Sequence, residues 1–211
     1  MTHHEERWAA AWQWLGLAPA DPGLLAALLA RYAEPHRKYH ATEHLDACLA
    51  HFDTLQALAE HPGEVALGLW FHDAVYDIGV PGNEAHSADW AREALLAAGA
   101  AQALAQRVHA LVMVTCHDVT PQTNDQQILL DVDLAILGAP AHVFDRYEQQ
   151  IRAEYAEIPE PAFRARRWRI LQQFLQRPRI YHTARFHDAR EAQARANLER
   201  SIRYWNSGPD A

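Results

Sequence analysis

Apolar residues recur every three or four positions along almost the whole chain, and no segment alternates regularly between apolar and polar residues. The first spacing places apolar side chains on one face of an α-helix, whereas alternation is typical of a β-strand. No Asn-Gly or Asp-Gly dipeptide marks a hairpin turn. The sequence therefore predicts an all-α fold, a single-domain bundle of roughly nine or ten helices.

Gly and Pro residues divide this pattern into segments. An amphipathic segment around Trp8 and Trp12 ends at Gly16. The further predicted helices run from Asp21 to Pro35, from Thr42 to Pro62, over 65–75, from Asn83 to Gly99, from Leu104 to about His117, over 128–137, from Pro140 onward, over 161–176 and over 179–205. Because no Pro-, Gly- or Ser-rich linker is long enough to separate domains, residues 1–211 are predicted to form one domain with its core at about 20–205.

The composition argues against several classes of protein. With 19 Lys and Arg against 27 Asp and Glu, the net charge is −8, which argues against binding to a nucleic-acid polymer. No apolar run is long enough to span a membrane, and the N-terminus lacks the layout of a signal peptide. Cys48 and Cys116 lie inside predicted helices and form no disulfide framework. We therefore expect a cytoplasmic monomer or homodimer without membrane partners.

His72 and Asp73 lie in the predicted helix 65–75, which is apolar on almost every side and is therefore expected to be buried. A carboxylate inside a buried helix is costly unless it is paired or bound to a metal ion. An imidazole nitrogen beside a carboxylate oxygen suits a divalent ion such as manganese, iron, cobalt, nickel or zinc. The dipeptide alone is better explained by a buried His–Asp hydrogen bond that orients two helices.

Other metal-binding side chains fall near the ends of neighbouring predicted helices. His44 lies just inside the helix that Thr42 can cap, where the positive helix end favours a neutral imidazole. A solvated first-turn histidine explains this segment equally well. Apolar residues lie one turn before and after Asp133, so its carboxylate is predicted to point into the apolar face. Asp131 is predicted to lie at the edge of the apolar helix face, where it would be near the substrate or in solvent.

The order of His44, His72-Asp73 and Asp133 resembles the metal-binding signature of the HD superfamily, a group of all-α metal-dependent phosphohydrolases. The flanking sequence is similar to one bacterial branch whose members are described only as predicted metal-dependent phosphohydrolases. The similar segments are 34–40, 70–77, 83–87, 131–138, 151–155 and the Arg-rich helix leading to 180–181. The resemblance covers nearly the whole chain and departs from the branch at 41–42.

This resemblance implies that the chain hydrolyses a phosphate ester of a small molecule, such as a nucleotide, through a metal-activated water. It implies that one divalent ion (Mn, Co, Ni, Fe, Zn or Mg) is held by His44, His72, Asp73 and Asp133. Asp73 is also expected to take part in catalysis.

Two alternative functions stay open. One is a di-iron oxygenase on the same scaffold, with a second iron held by histidines among His86, His109 and His117. The other is a non-catalytic binding protein that is stabilised by its metal.

Two residues outside the ligand set are candidates for catalysis. Glu84 follows Asn83 in the first turn of a predicted helix, where it can orient a water or act as a base. Its negative charge near a helix N-terminus is an equally good explanation. His117 ends a predicted helix, where it can protonate a leaving oxygen, bind a second metal or cap the last carbonyl groups.

Five residues are candidates for contacts with the substrate: Arg37, Lys38, His40, Asp131 and Arg152. A guanidinium can bind a phosphate through paired hydrogen bonds, so Arg37 and Arg152 are candidates for the phosphate itself. An exposed ion pair with Glu148, four residues earlier, explains Arg152 equally well. The neighbouring arginines of the next helix are expected to form a solvated face: Arg166, Arg167 and Arg169.

Overall fold

The computed structural model describes residues 2–117 and 120–206. The chain is 71% helical, with ten α-helices and no strand in the described ranges, so the predicted all-α class is confirmed. It divides into two compact units, Met1–Asp133 and Leu134–Ala211.

The first unit contains seven α-helices and two short 3₁₀ segments. The α-helices are α1 His3–Trp14, α2 Leu24–Tyr32, α3 Thr42–Asp53, α4 Pro62–Phe71, α5 Asn83–Ala97, α6 Gln102–Met113 and α7 Asn124–Asp133. The 3₁₀ segments are Gln56–Leu58 and Val114–Cys116. The second unit contains a 3₁₀ segment, Leu134–Gly138, followed by α8 Ala141–Glu154, α9 Glu160–Gln176 and α10 Ala184–Asn206.

Helix α4 is the centre of the first unit, packed against α1, α3, α5, α6 and α7. Residues 63–71 are all buried, as the apolar sequence predicts. Gly68 allows close contact with α6 and α7, since a Cβ atom there would lie only 2.7 Å from Cδ1 of Leu129 on α7 and 3.3 Å from Cβ of Leu111 on α6. The position of α4 therefore brings its C-terminal end next to α3 and α7.

Helix α4 is shorter than predicted, because it ends at Phe71 rather than Val75. The chain then turns, with the Ala74 N–H donating to the Phe71 carbonyl at 2.9 Å. The Asp73 N–H donates to the hydroxyl oxygen of Tyr32 at 3.3 Å instead of to a helical carbonyl. His72 and Asp73 therefore lie at the exit of the buried helix.

A buried ion pair holds the second unit together. The guanidinium of Arg167 on α9 binds the carboxylate of Glu148 on α8, with Nε 3.1 Å from Oε1. The other oxygen of Glu148 accepts hydrogen bonds from the Ser201 hydroxyl at 2.9 Å and from Trp205 Nε1 at 2.7 Å, both on α10. The prediction that Arg167 is solvated is wrong, because α9 buries this side chain between α8 and α10.

Among the described residues, no single helix has the length and apolar character needed to cross a membrane. The segments Asn124–Gly138 and Ala141–Glu154 reach that length only when they are taken together as a bent pair.

Candidate metal centre

Four side chains from three segments of the first unit converge at the end of α4. His44 lies in the first turn of α3, His72 and Asp73 follow α4, and Asp133 is the last residue of α7. His44 Nε2 lies 3.1 Å from His72 Nε2, 3.5 Å from Asp73 Oδ2 and 3.3 Å from Asp133 Oδ1. His72 Nε2 lies 3.2 Å from Asp73 Oδ2 and 3.6 Å from Asp133 Oδ1. The structure thus brings together the four residues that the resemblance named.

These separations fit the requirements of a bound divalent ion. Nitrogen and oxygen ligands about 2.0–2.2 Å from a common ion lie about 3.0–3.6 Å from one another. The five measured separations span 3.1–3.6 Å. Two imidazoles and two carboxylates are also a donor set that suits borderline divalent ions. The group therefore matches a metal site in both spacing and chemistry.

The orientation of the His72 ring supports the same conclusion. Its Nδ1 lies 2.7 Å from the carbonyl oxygen of Leu69, in the last turn of α4. Because a carbonyl oxygen can only accept a hydrogen bond, Nδ1 carries the proton of the neutral ring. Nε2 then presents its lone pair to the cluster, as a metal-binding histidine must.

The carboxylates and imidazoles of the cluster shift one another's pKa values. Burial lowers the pKa of His72, but the charges of Asp73 and Asp133 and the hydrogen bonds to Asp73 and Leu69 outweigh it and raise this pKa to about 9. Burial raises the pKa of Asp73, but His72, His40 and His44 together hold it well below its ordinary value. The pKa of Asp133 is lowered against burial by His44, His72 and His117. Protons and a metal ion therefore compete for this cluster.

The free energy of unfolding of the metal-free protein should fall as the pH rises from about 6.5 through about 9. His72 has a pKa of about 9 in the folded chain against 6.5 for the free side chain, so its stabilising effect is complete below pH 6.5 and is lost as the pH rises through 9. Thermal unfolding in excess chelator across this range measures the effect. The variant His72→Gln should flatten the profile, and an equally steep decline in that variant would contradict the assignment.

Cys48 is a member of this group that the sequence analysis did not single out. It lies one turn after His44 on α3 and is 1% exposed. His44, Cys48, His72 and Asp133 each offer a ligand atom within 4.8 Å of the others, so this buried group could hold a metal ion. The Cys48 sulfur is 3.7 Å from Nε2 and 3.8 Å from Nδ1 of His44, which places it beside the ring rather than beyond Nε2. The sequence did contain a signal for this contact, because Cys48 follows His44 by four residues and residues at that spacing are neighbours on a helix.

Arg37 does not take the role that the sequence analysis considered for it. Its side chain is 0% exposed, and its N–H groups donate to the Glu34 carboxylate and to the carbonyl oxygens of His40, Asp73 and Ala74. A guanidinium that is enclosed and bonded in this way is not available to a phosphate. The expected phosphate contact of Arg37 is therefore wrong, because the sequence does not reveal that this side chain is buried.

The other residues predicted to contact the substrate have different surroundings. Lys38 is exposed and donates to the Pro35 carbonyl at 2.7 Å. The His40 ring stacks on Tyr76 with 4.1 Å between ring centroids. In the second unit, Arg152 donates to Glu160 rather than to Glu148, and also to the carbonyl oxygens of Tyr155 and Ile158. This guanidinium therefore stabilises the end of α8 and the turn after it.

Asp131 is fully buried, whereas its position on the helix predicted the edge of the apolar face. The prediction is wrong because residues 128–132 of α7 are all buried, so Asp131 is enclosed together with its apolar neighbours. Asp133, not Asp131, is the aspartate whose carboxylate reaches His44.

The two candidate catalytic residues differ in their contacts with the cluster. His117 adopts a left-handed backbone conformation, with φ 60°, at the end of the 3₁₀ segment Val114–Cys116. Its Nε2 lies 3.6 Å from Oδ2 of Asp133, and its side chain is 27% exposed. Glu84 lies in the first turn of α5 as predicted. Across the described residues, no hydrogen bond or ion pair joins Glu84 to the cluster.

The histidines suggested for a second iron do not form a second group. His109 lies 3.4 Å from Asp89, between α5 and α6. In the part of the chain that the structure describes, the group around His44 is the one set of three or more His, Cys, Asp and Glu close enough to hold an ion.

We compared the chain with family models, with curated proteins and with solved structures, and none of the three comparisons gave a match. The functional interpretation therefore depends on the geometry of this site.

Proposed function

We propose that this protein is a metal-dependent phosphohydrolase of the HD type, which cleaves a phosphate ester of a small molecule such as a nucleotide. One observation carries the proposal: at the end of a buried helix, the Nε2 atoms of His44 and His72 lie 3.1 Å apart and 3.2–3.6 Å from carboxylate oxygens of Asp73 and Asp133. Two carboxylates match the charge of one divalent ion, and two neutral imidazoles complete the binding set.

Each side chain has a specific task in this proposal. His44 and His72 bind the ion through Nε2, and the Leu69 carbonyl keeps the His72 ring in the required tautomer. Asp73 and Asp133 supply carboxylate oxygens from two different segments. When bound, the divalent ion supplies a Lewis acid that polarises a phosphoryl oxygen and lowers the pKa of a water.

The five arginines of the first unit do not contribute free positive charge to the substrate. Each engages at least one acidic side chain, in the pairs Arg7–Asp53, Arg31–Glu34, Arg37–Glu34, Arg92–Asp89 and Arg107–Glu64. The substrate phosphate therefore meets the ion and the nearby imidazoles of His40 and His117. This arrangement suits a phosphate group that is bound mainly by the ion.

His117 is the best-placed residue to give a proton to the leaving oxygen. It lies on the Oδ2 side of Asp133, opposite the oxygen that faces His44, and it is more exposed than the four ligands. An imidazole can hold or release a proton near neutral pH, which general acid catalysis requires.

The proposal is tested with a panel of phosphomonoesters and nucleotides in the presence of manganese, cobalt or magnesium. We expect phosphate release that requires the ion and is abolished by chelator. A protein that binds one ion per chain and releases no phosphate from any member of the panel would contradict the proposed function. Two iron ions per chain, with an iron absorption band, would instead support the di-iron alternative.

Replacing His117 with glutamine should lower kcat by about 10²–10⁴-fold, because a positioned general acid contributes that much to a proton transfer. The metal content should stay at the wild-type level, since His117 is outside the proposed ligand set. The matched control is His187→Gln, at a partly exposed histidine of the second unit. A wild-type kcat in His117→Gln would remove this residue from the mechanism.

A further inference from the structure

We infer that Arg37 is a positioning residue that fixes the spacing between two of the three ligand-bearing segments of the proposed metal centre, the segment entering α3 and the turn after α4. This inference rests on the proposed metal centre, and it assigns a role to a residue that contacts neither the ion nor the substrate. The evidence is the set of backbone groups that one buried guanidinium joins.

Arg37 binds both sides of the centre at once. Nη1 donates to the carbonyl oxygen of Asp73 at 2.6 Å, and Nη2 donates to that of Ala74 at 3.1 Å. Nη1 also donates to the carbonyl oxygen of His40 at 3.2 Å, four residues before His44. One planar group therefore links the turn that carries Asp73 with the segment that leads into α3.

The turn after α4 needs such support, because Asp73 lies beyond the helix. Its N–H donates to the Tyr32 hydroxyl, which in turn donates to the Trp70 carbonyl at 3.2 Å. Its carbonyl is held by Arg37. Both backbone polar groups of this candidate ligand residue are thus bonded to side chains at the end of α2 and in the segment that follows it. The direction of the Asp73 carboxylate depends on that backbone.

The surroundings of Arg37 keep the guanidinium in one position. Nε donates to Glu34 at 3.1 Å, so the acidic partner balances the buried charge. The guanidinium carbon lies 5.3 Å from the Tyr32 ring centroid and 5.7 Å from that of Tyr76. A lysine cannot replace this arrangement, because a compact ammonium lacks the planar fork that reaches three carbonyl oxygens and a carboxylate together.

The test measures metal affinity in Arg37→Met and Arg37→Lys, by competition between the protein and a chromophoric chelator for Co²⁺. Replacing groups that orient metal ligands typically lowers metal affinity 10–100-fold, so we expect a loss of about that size in Arg37→Met. Arg37→Lys should also lose affinity, although less. The visible spectrum of bound Co²⁺ should change in both variants, because its ligand geometry is disturbed.

The matched control is Arg107→Met. Arg107 pairs with Glu64, a buried carboxylate at the other end of α4. Its replacement should lower the melting temperature of the metal-free protein and leave Co²⁺ affinity within twofold of wild type. If Arg37→Met does not fold, Arg37→Lys and Glu34→Gln, which weakens the same contact set, carry the test with a smaller expected loss.

The outcomes separate this inference from the proposed function. Wild-type affinity and an unchanged Co²⁺ spectrum in folded Arg37 variants would overturn the positioning role, as would an equal loss of affinity in Arg107→Met. A wild-type protein that binds no ion would overturn the metal centre and this inference together. A wild-type protein that binds Co²⁺ but hydrolyses no phosphate ester would contradict only the proposed function, and the comparison of variants would still decide the role of Arg37.

Discussion

Replacing Asp73 with alanine should lower the affinity for a divalent ion by more than about 100-fold, because even residues that only orient ligands cost 10–100-fold. Asp73 Oδ2 lies within 3.2–3.5 Å of both histidine nitrogens, so its removal opens one side of the cluster. Phosphate release should be lost with the ion. Metal content by elemental analysis and the rise in melting temperature on adding metal are the two measurements.

Asp77→Ala is the matched control for this variant. Asp77 lies four residues further along the same turn, and its carboxylate is half exposed and 3.7 Å from Arg31. Its loss should leave metal content and activity unchanged. If Asp73→Ala kept its ion, or if Asp77→Ala lost it equally, the carboxylate of Asp73 would not be a ligand.

Replacing Glu148 with glutamine should lower the free energy of unfolding by about 3–5 kcal/mol, the usual cost of removing one partner of a buried ion pair. The change leaves the Arg167 guanidinium buried among α8, α9 and α10 without its counter-charge. It also weakens an acceptor for Ser201 and Trp205. Denaturant titration followed by circular dichroism measures the loss.

The control for this pair lies on the same helix. Asp145 on α8 binds Arg200 through a carboxylate that is 56% exposed. Exposed pairs of this kind contribute about 0–1 kcal/mol, so Asp145→Asn should stay close to wild type. Equal losses in Asp145→Asn and Glu148→Gln would show that burial does not set the strength of the Glu148–Arg167 pair.

The sequence predicted the helices well where the apolar period was unbroken, and less well at their ends. The buried helix before His72 was expected from its apolar composition, but its end at Phe71 was not. That end is fixed by Tyr32 and Arg37, which lie more than thirty residues earlier in the chain. Periodicity describes neighbours along a helix and carries no information about such distant partners.

The difference between local sequence patterns and distant contacts also explains which residues of the candidate site were predicted correctly. The four candidate metal ligands were named from side-chain type and a family resemblance, and the structure brings their potential ligand atoms together. Arg37 and Asp131 were misjudged because both were expected to reach the substrate, whereas packing encloses them. Charge suggests which ligand a side chain can bind, but only the tertiary structure decides whether it is accessible.

The raised pKa of His72 has a consequence for how the proposed metal centre would take up an ion. An imidazolium between two carboxylates supplies part of the counter-charge that an ion would otherwise provide. We therefore expect the chain to fold without a metal, unlike a zinc finger, whose fold depends on its ion. In the proposed centre, metal loading would then be an exchange at preformed ligands, in which an arriving cation displaces hydrogen ions into the surrounding solution.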